Sequence, residues 1–133
     1  HADGVYLYLK LKETDPKRAA VLYQLLQRNG GNKSGIKISA VDSVGNIHPD
    51  QFWQEYSPGN VLDRDFGEIW TDEDDPLMKG LRDRKELLKG RCAKCSYLDI
   101  CNGNLRERAE AVYNDVWAED PACYLTDEEI GIT

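Results

Sequence analysis

Lys89 to Cys101 reads KGRCAKCSYLDIC, and the fourth cysteine, Cys123, follows after 21 further residues. The spacing is C-x2-C-x5-C-x21-C. The C-x2-C turn can point two thiolates at one ion or one cluster corner, the x5 step can bring a third around it, and Cys123, beyond a helix, can close the site from the other side. A cuboidal [4Fe–4S] cluster asks for four thiolates, and four are present with none left over. A structural zinc site uses the same ligands and the same C-x2-C turn. Two disulfides or four unconnected cysteines are the remaining readings. The opening residues, HADGVYLYLK, lack the basic start and long apolar run of a secretory signal. Cytosolic thiols stay reduced, so metal or free thiols are favoured over disulfides. Soft thiolate sites suit both iron and zinc, and spacing does not separate them. Lys89, Arg91, Lys94, Arg106 and Arg108 surround the cysteines. Cations lower thiolate pKa values and offset the charge of a thiolate-bound centre; the plainer reading is a solvated basic patch.

Outside this cluster the chain is acidic, with a net charge of −7 over 133 residues and a pI of about 4.8. That balance argues against nucleic acid, which needs clustered Lys and Arg, and against an anionic membrane surface. No stretch approaches the roughly 18 apolar residues of a membrane span, so a cytoplasmic protein is expected. Hydrophobic residues make up 41% of the chain, enough for a small core that a metal staple would help.

Upstream, Asp15 to Gly31 reads as a helix. Asp15 can cap it, Pro16 suits the first turn, and Ala19, Leu22, Leu25 and Leu26 recur at helical spacing before Asn29-Gly30-Gly31 stops it. Gly35 to Asp42 alternates like a half-buried strand and, through the Ser43-Val44-Gly45-Asn46 turn, predicts a hairpin returning along Asn46-Ile47-His48. Phe66–Trp70, Pro76–Arg84 and about Leu105–Tyr113 read as short helices, and Cys123 as a loop residue. The expected fold is α+β: a small β-hairpin with short helices, followed by a loop-rich, metal-organised cysteine lobe. The expected division is 1–86 for the hairpin-and-helix region and 87–133 for the cysteine lobe with its acidic tail.

From Gly45 to Cys123 the sequence resembles the SPASM domain at the C-terminus of radical S-adenosylmethionine (SAM) enzymes. That pattern has a G-x4-C step, then C-x2-C-x5-C-x3-C, then a last Cys, and its full version carries two auxiliary [4Fe–4S] clusters. Cys92, Cys95 and Cys101 match the first three of the run and Cys123 the last. Asp50 stands where the G-x4-C step from Gly45 would place its Cys, and Leu105 where the run would place its fourth. In the resemblance one ligand set is retained whole and the other lost whole, which favours iron–sulfur over zinc. The segments GNIHPDQFW, FGEIW, DPLM, LKGRCAKC, DICNGN and WAEDPACYL narrow the match to the NirJ type, which acts in haem d1 biosynthesis.

The resemblance implies removal of propionate side chains from a didecarboxysirohaem precursor, leaving oxo groups, with the cluster relaying electrons, shaping the substrate site or holding the fold. The SAM-binding C-x3-C-x2-C triplet does not occur here. SAM and a second cluster are therefore expected in an N-terminal core outside this chain, and the chain alone is expected to be inactive. Partners implied are that core, a tetrapyrrole and an electron-donor or -acceptor protein. Two other readings stay open: a zinc-stabilised interaction module, and the SPASM domain of a peptide-modifying enzyme. Asp50 reads as a turn residue, with substrate or cation contact as the alternative. His48 reads as structural. Trp53, Trp70 and Trp117 read as packing residues, Trp53 alternatively as a stacking platform for a tetrapyrrole. Glu119 and Asp120 read as turn residues before Pro121. No catalytic triad, P-loop or G-x-G-x-x-G is present.

Overall fold

The computed structural model describes residues 1–133. It contains seven helices and one two-stranded antiparallel sheet: α1 (Ala2–Thr14), α2 (Pro16–Asn29), β1 (Ala40–Val41), β2 (Ile47–His48), α3 (Phe66–Trp70), α4 (Pro76–Arg82), α5 (Gly90–Lys94), α6 (Leu98–Cys101) and α7 (Arg106–Tyr113). They form two compact units. One joins His1–Asn32 to Arg84–Thr133, so α1 and α2 fold with the cysteine segment; the other is Lys33–Asp83. No helix is long and apolar enough to cross a membrane.

In the first unit, α2 starts and stops where its local chemistry dictates. The Asp15 carboxylate accepts the Arg18 amide at 3.2 Å, Pro16 occupies the first turn, and Gly30 ends the helix in the left-handed region at φ 72°. α1 packs against α2 and α6. Ala2 and Val5 of α1, Ile100 of α6, and Leu125 and Ile130 of the tail form the buried core, with Leu9, Tyr23, Leu26 and Tyr97 against it. Burying a Val- or Leu-sized side chain stabilises by about 1.5–3 kcal/mol, so these few residues carry much of this small unit.

In the second unit the hairpin is shorter than the alternating sequence predicts. Only Ala40–His48 and Val41–Ile47 pair. The amides of Ile36, Lys37 and Ile38 all donate to the Lys33 carbonyl, at 2.9–3.2 Å, which winds this stretch into a turn and takes Gly35–Ser39 out of the strand. The reversal is as expected: Asp42 Oδ1 accepts the amides of Val44 (3.0 Å) and Asn46 (2.9 Å). Ile47, Trp53, Ile69, Met78 and Leu81 are buried in this unit. Asp65 caps α3 and Asp75 caps α4, where Pro76 sits in the first turn.

His48 is buried, and both its ring nitrogens are engaged. Nδ1 donates to the Tyr56 carbonyl at 2.7 Å, and Nε2 faces Asp42 Oδ2 at 2.9 Å. A carbonyl and a carboxylate accept only, so this pocket suits the doubly protonated ring. Burial pushes the His48 pKa down, but the Asp42 and Tyr56 hydrogen bonds and the Asp42 charge leave it above its usual 6.5. The His48 hydrogen bond in turn lowers the Asp42 pKa from 3.8 to about 2. His48 therefore contributes stability that is complete below 6.5 and lost as pH rises through its raised folded value. Asp42 contributes above 3.8 and loses its contribution as pH falls towards 2. Thermal melts across pH should show a maximum between these limits and a fall on the alkaline side. In Asp42→Asn that alkaline fall should flatten; a wild-type curve already flat from pH ~6 to ~9 would contradict the assignment.

Candidate metal centre

Local structure sets the direction of each cysteine. Cys92 lies on α5, and Cys95 is the C-cap of that helix, its amide donating to the Cys92 carbonyl at 3.3 Å. Cys101 is the last residue of α6, its amide donating to the Tyr97 carbonyl at 3.0 Å. Cys123 lies in the irregular tail, its amide donating to the Asp120 carbonyl at 3.1 Å. All four are free thiols and half-buried, and all four line one cavity. Its apolar wall comes from Ala2, Val5, Leu98, Leu125 and Ile130. The sequence's four ligand candidates are thus brought together, and the lobe around them is more helical than the loop-rich expectation.

The sulfurs sit where a thiolate-bound centre could be held. The Tyr97 amide donates to Cys95 Sγ at 3.3 Å, and the Asp120 amide donates to the Cys92 sulfur. Burial pushes the Cys92 thiol up, against the pull of the Asp120 amide and the Arg106 guanidinium. Burial likewise pushes Cys95 up, the Tyr97 amide draws it back, and Cys101, Cys92 and Cys123 push it further up. Cys92 and Cys95 therefore meet the charge of neighbouring thiols, which a nearby cation offsets. No three His, Cys, Asp or Glu side chains are grouped closely enough to hold a single ion. A four-thiolate zinc site needs each sulfur about 2.3 Å from one ion, whereas a cubane takes its thiolates at separate corners. The four half-buried thiols share one apolar cavity and are supplied with N–H donors.

A second ring of residues fixes α6 and its cysteine. Asn102, Gly103 and Asn104 have consecutive positive φ values of 56°, 71° and 55°, a left-handed run that non-glycine residues adopt at a cost. Buried Arg84 binds it through Nη1, to the carbonyls of Asn102 (3.4 Å) and Asn104 (3.3 Å) and to Asn32 Oδ1 (3.0 Å). Asn102 Nδ2 returns a hydrogen bond to the Asn32 carbonyl at 2.9 Å, and the Asn32 amide donates to the Cys101 carbonyl at 3.1 Å. Gly31, at φ +76°, passes so close that a Cβ would lie 2.3 Å from the Cys101 carbonyl carbon and oxygen.

The basic residues noted in the sequence divide sharply. Lys89 is exposed and pairs with Asp115 at 2.6 Å. Arg108 pairs with buried Asp120 at 2.7 Å. Arg91 Nε binds Asp127 at 2.7 Å, and the Arg91 amide donates to Glu119 at 2.8 Å. Arg106 alone of the five is buried. Asp120 is more than a turn residue: besides Arg108 it accepts Asn104 Nδ2 (3.0 Å) and the Ala122 amide (3.1 Å). The roles of Arg84, Asn32 and Asn102 were not drawn from the sequence. Their partners lie far away along the chain, and only burial reveals them.

Asp50, which stands at a ligand position of the resembled pattern, is 2% exposed and serves the turn. It accepts the Ser34 hydroxyl and the amides of Phe52 (2.8 Å) and Trp53 (3.0 Å). Trp53 is 1% exposed and packs on Tyr56 with ring centroids 6.0 Å apart, so it has no free face for a tetrapyrrole. Trp70 stacks on Phe66 and carries the Arg82 guanidinium over its ring.

No family model and no solved structure matches the chain. Two curated proteins do. Fe-coproporphyrin III synthase of Methanosarcina barkeri is 60% identical over 134 aligned residues, covering 98% of this chain and 34% of that protein. Pre-heme d1 synthase of Dinoroseobacter shibae is 44% identical over 131, covering 98% of this chain and 32% of that protein. The chain spans about a third of the length of these relatives. It is a homologue of synthases that make iron tetrapyrroles. Within that class it belongs with the NirJ-type radical SAM proteins that its cysteine pattern resembles.

Gly31→Ala combines a left-handed residue with a Cβ inside the Cys101 backbone. It should lower thermal stability by more than about 2 kcal/mol. Asp50→Ala should cost about 1–3 kcal/mol by stranding buried donors. Denaturant titration checks both, and a wild-type midpoint for either would overturn the contact concerned.

Proposed function

We propose that this chain is the C-terminal auxiliary-cluster segment of a radical SAM enzyme acting on an iron tetrapyrrole in the cytoplasm, with Cys92, Cys95, Cys101 and Cys123 holding one [4Fe–4S] cluster. The observation that carries this reading is that four free thiols from α5, α6 and the tail line one apolar cavity. The products for which the two relatives are named, Fe-coproporphyrin III and pre-haem d1, support a tetrapyrrole substrate. At 60% against 44% identity, formation of Fe-coproporphyrin III is favoured over propionate removal on the path to haem d1. SAM binds in the part of the enzyme outside this chain.

When bound, the cluster supplies a one-electron relay between the radical chemistry of the core and an external electron carrier. The residues of this chain set the conditions. Cys92, Cys95, Cys101 and Cys123 would hold it with one thiolate each, so no ligand from outside the chain would be required. Val5, Leu98, Leu125 and Ile130 keep water from the cavity. The Tyr97 and Asp120 amides donate to the Cys95 and Cys92 sulfurs and counter part of the burial that pushes these thiols up. Arg84, Asn32 and Asn102 keep Cys101 in place from behind.

The test is anaerobic purification with iron, sulfide and zinc analysis. This segment should account for about four irons and a broad absorption band near ~400 nm, both lost in Cys95→Ala. One zinc bound at these cysteines, with no iron taken up on anaerobic reconstitution, would overturn the cluster and leave a structural module.

A further inference from the structure

Arg106 is the largest investment of buried charge near the cysteines. It is 0% exposed, and an isolated buried cation costs several kcal/mol unless its surroundings answer it. Two of its nitrogens are answered. Nη1 donates to the carbonyls of Val116 (3.1 Å) and Ala118 (2.5 Å), and Nη2 donates to the Gly103 carbonyl. These bonds fix the plane of the guanidinium. Gly103, Glu119 and Asp120, on either side of its carbonyl anchors, line the same cavity as the four cysteines. The remaining donor, Nε–H, is buried and finds no hydrogen-bond partner among the protein's own groups. The nearby carboxylate of Asp120 does not claim it, because Arg108, Asn104 and the Ala122 amide already occupy that carboxylate. Neighbouring Cys92 is the acceptor within reach, and its sulfur becomes a strong one only as a thiolate.

We propose that Arg106 is the internal countercation of the cluster, its Nε–H donating to the Cys92 sulfur and its fixed charge raising the cluster's reduction potential. This rests on the cluster reading above. Three carbonyl anchors engage Nη1 and Nη2 and leave Nε–H without a partner on a guanidinium that neighbours Cys92. Hydrogen bonds to sulfur and nearby charge are the protein's means of setting such potentials. The reduction adds one electron, supplied by dithionite through mediators, and takes [4Fe–4S]2+ to [4Fe–4S]1+. Arg106 stays protonated throughout, so no proton accompanies the electron at this residue. The more negative, reduced state gains more from the cation, and the potential rises.

The test is a mediated redox titration of the reconstituted protein, following the couple that disappears in Cys95→Ala, with iron and sulfide counted for every variant. Arg106→Lys should hold the cluster and keep most of the potential. Arg106→Met, with iron still bound, should lower it by at least a tenfold change in electron affinity, about 59 mV for a one-electron couple. A fully loaded Arg106→Met with wild-type potential would overturn the proposal. Should that variant fail to fold, the unaltered chain still decides. With arginine labelled by 15N in the guanidinium alone, pulsed EPR of the reduced cluster should show a weak nitrogen coupling that Arg106→Lys removes. Its absence from the loaded wild-type protein would overturn the proposal. Failure to take up iron at all would instead sink the cluster reading, so the two failures are distinguishable.

Discussion

Asn32 holds the cysteine-bearing unit together. Its amide reaches the Cys101 carbonyl, its side-chain oxygen takes Arg84, and its own carbonyl takes Asn102. These contacts join segments 52 and 70 residues apart. That knot adds to side-chain packing in keeping α2 beside α6, next to the Ala2 and Val5 wall of the cavity that the thiols line. Fully satisfied buried polar groups of this kind rigidify a small core that hydrophobic burial alone would leave loose.

The cavity is a compromise between two requirements. Apolar walls exclude water and make thiolates costly, and each thiol raises the next. Under the cluster reading, a centre carrying positive charge would offset that cost. The protein meets the residual charge with dipoles, in the Tyr97 and Asp120 amides, and with one buried cation. Lys89 and Arg91 are engaged by carboxylates nearer the surface, and Arg108 by buried Asp120. This is why an acidic chain can still provide a basic environment at one point.

What could be read in the sequence was local. Asp15-Pro16 and Gly30 announce α2 because cap and stop lie within the helix they govern. Asp42 announces the reversal of the hairpin for the same reason. The four cysteines could be grouped by spacing because a thiolate centre has few other uses for them. Gly35–Asp42 misled because its alternation matches a strand, while three amides turn in to the Lys33 carbonyl. α1 was missed: Val5, Leu7, Leu9 and Leu11 alternate like a strand, and only the presence of α2 and α6 makes the helical face of Ala2, Val5 and Leu9 the one worth burying. The ring of Asn32, Arg84 and Asn102 was illegible, since polar residues look alike until distant partners bury them; Arg106 could be placed near the cysteines but not known to be buried.

The cavity wall has a consequence for biosynthesis. Ala2 and Val5 stand at the start of this sequence and Leu125 and Ile130 near its end, with the roughly fifty residues of Lys33–Asp83 forming a unit of their own in between. That inserted unit is complete once Asp83 has been synthesised. The cysteine cavity is not. Three of its thiols emerge with one wall in place and the other still unsynthesised, so all four are gathered only once translation has passed Ile130.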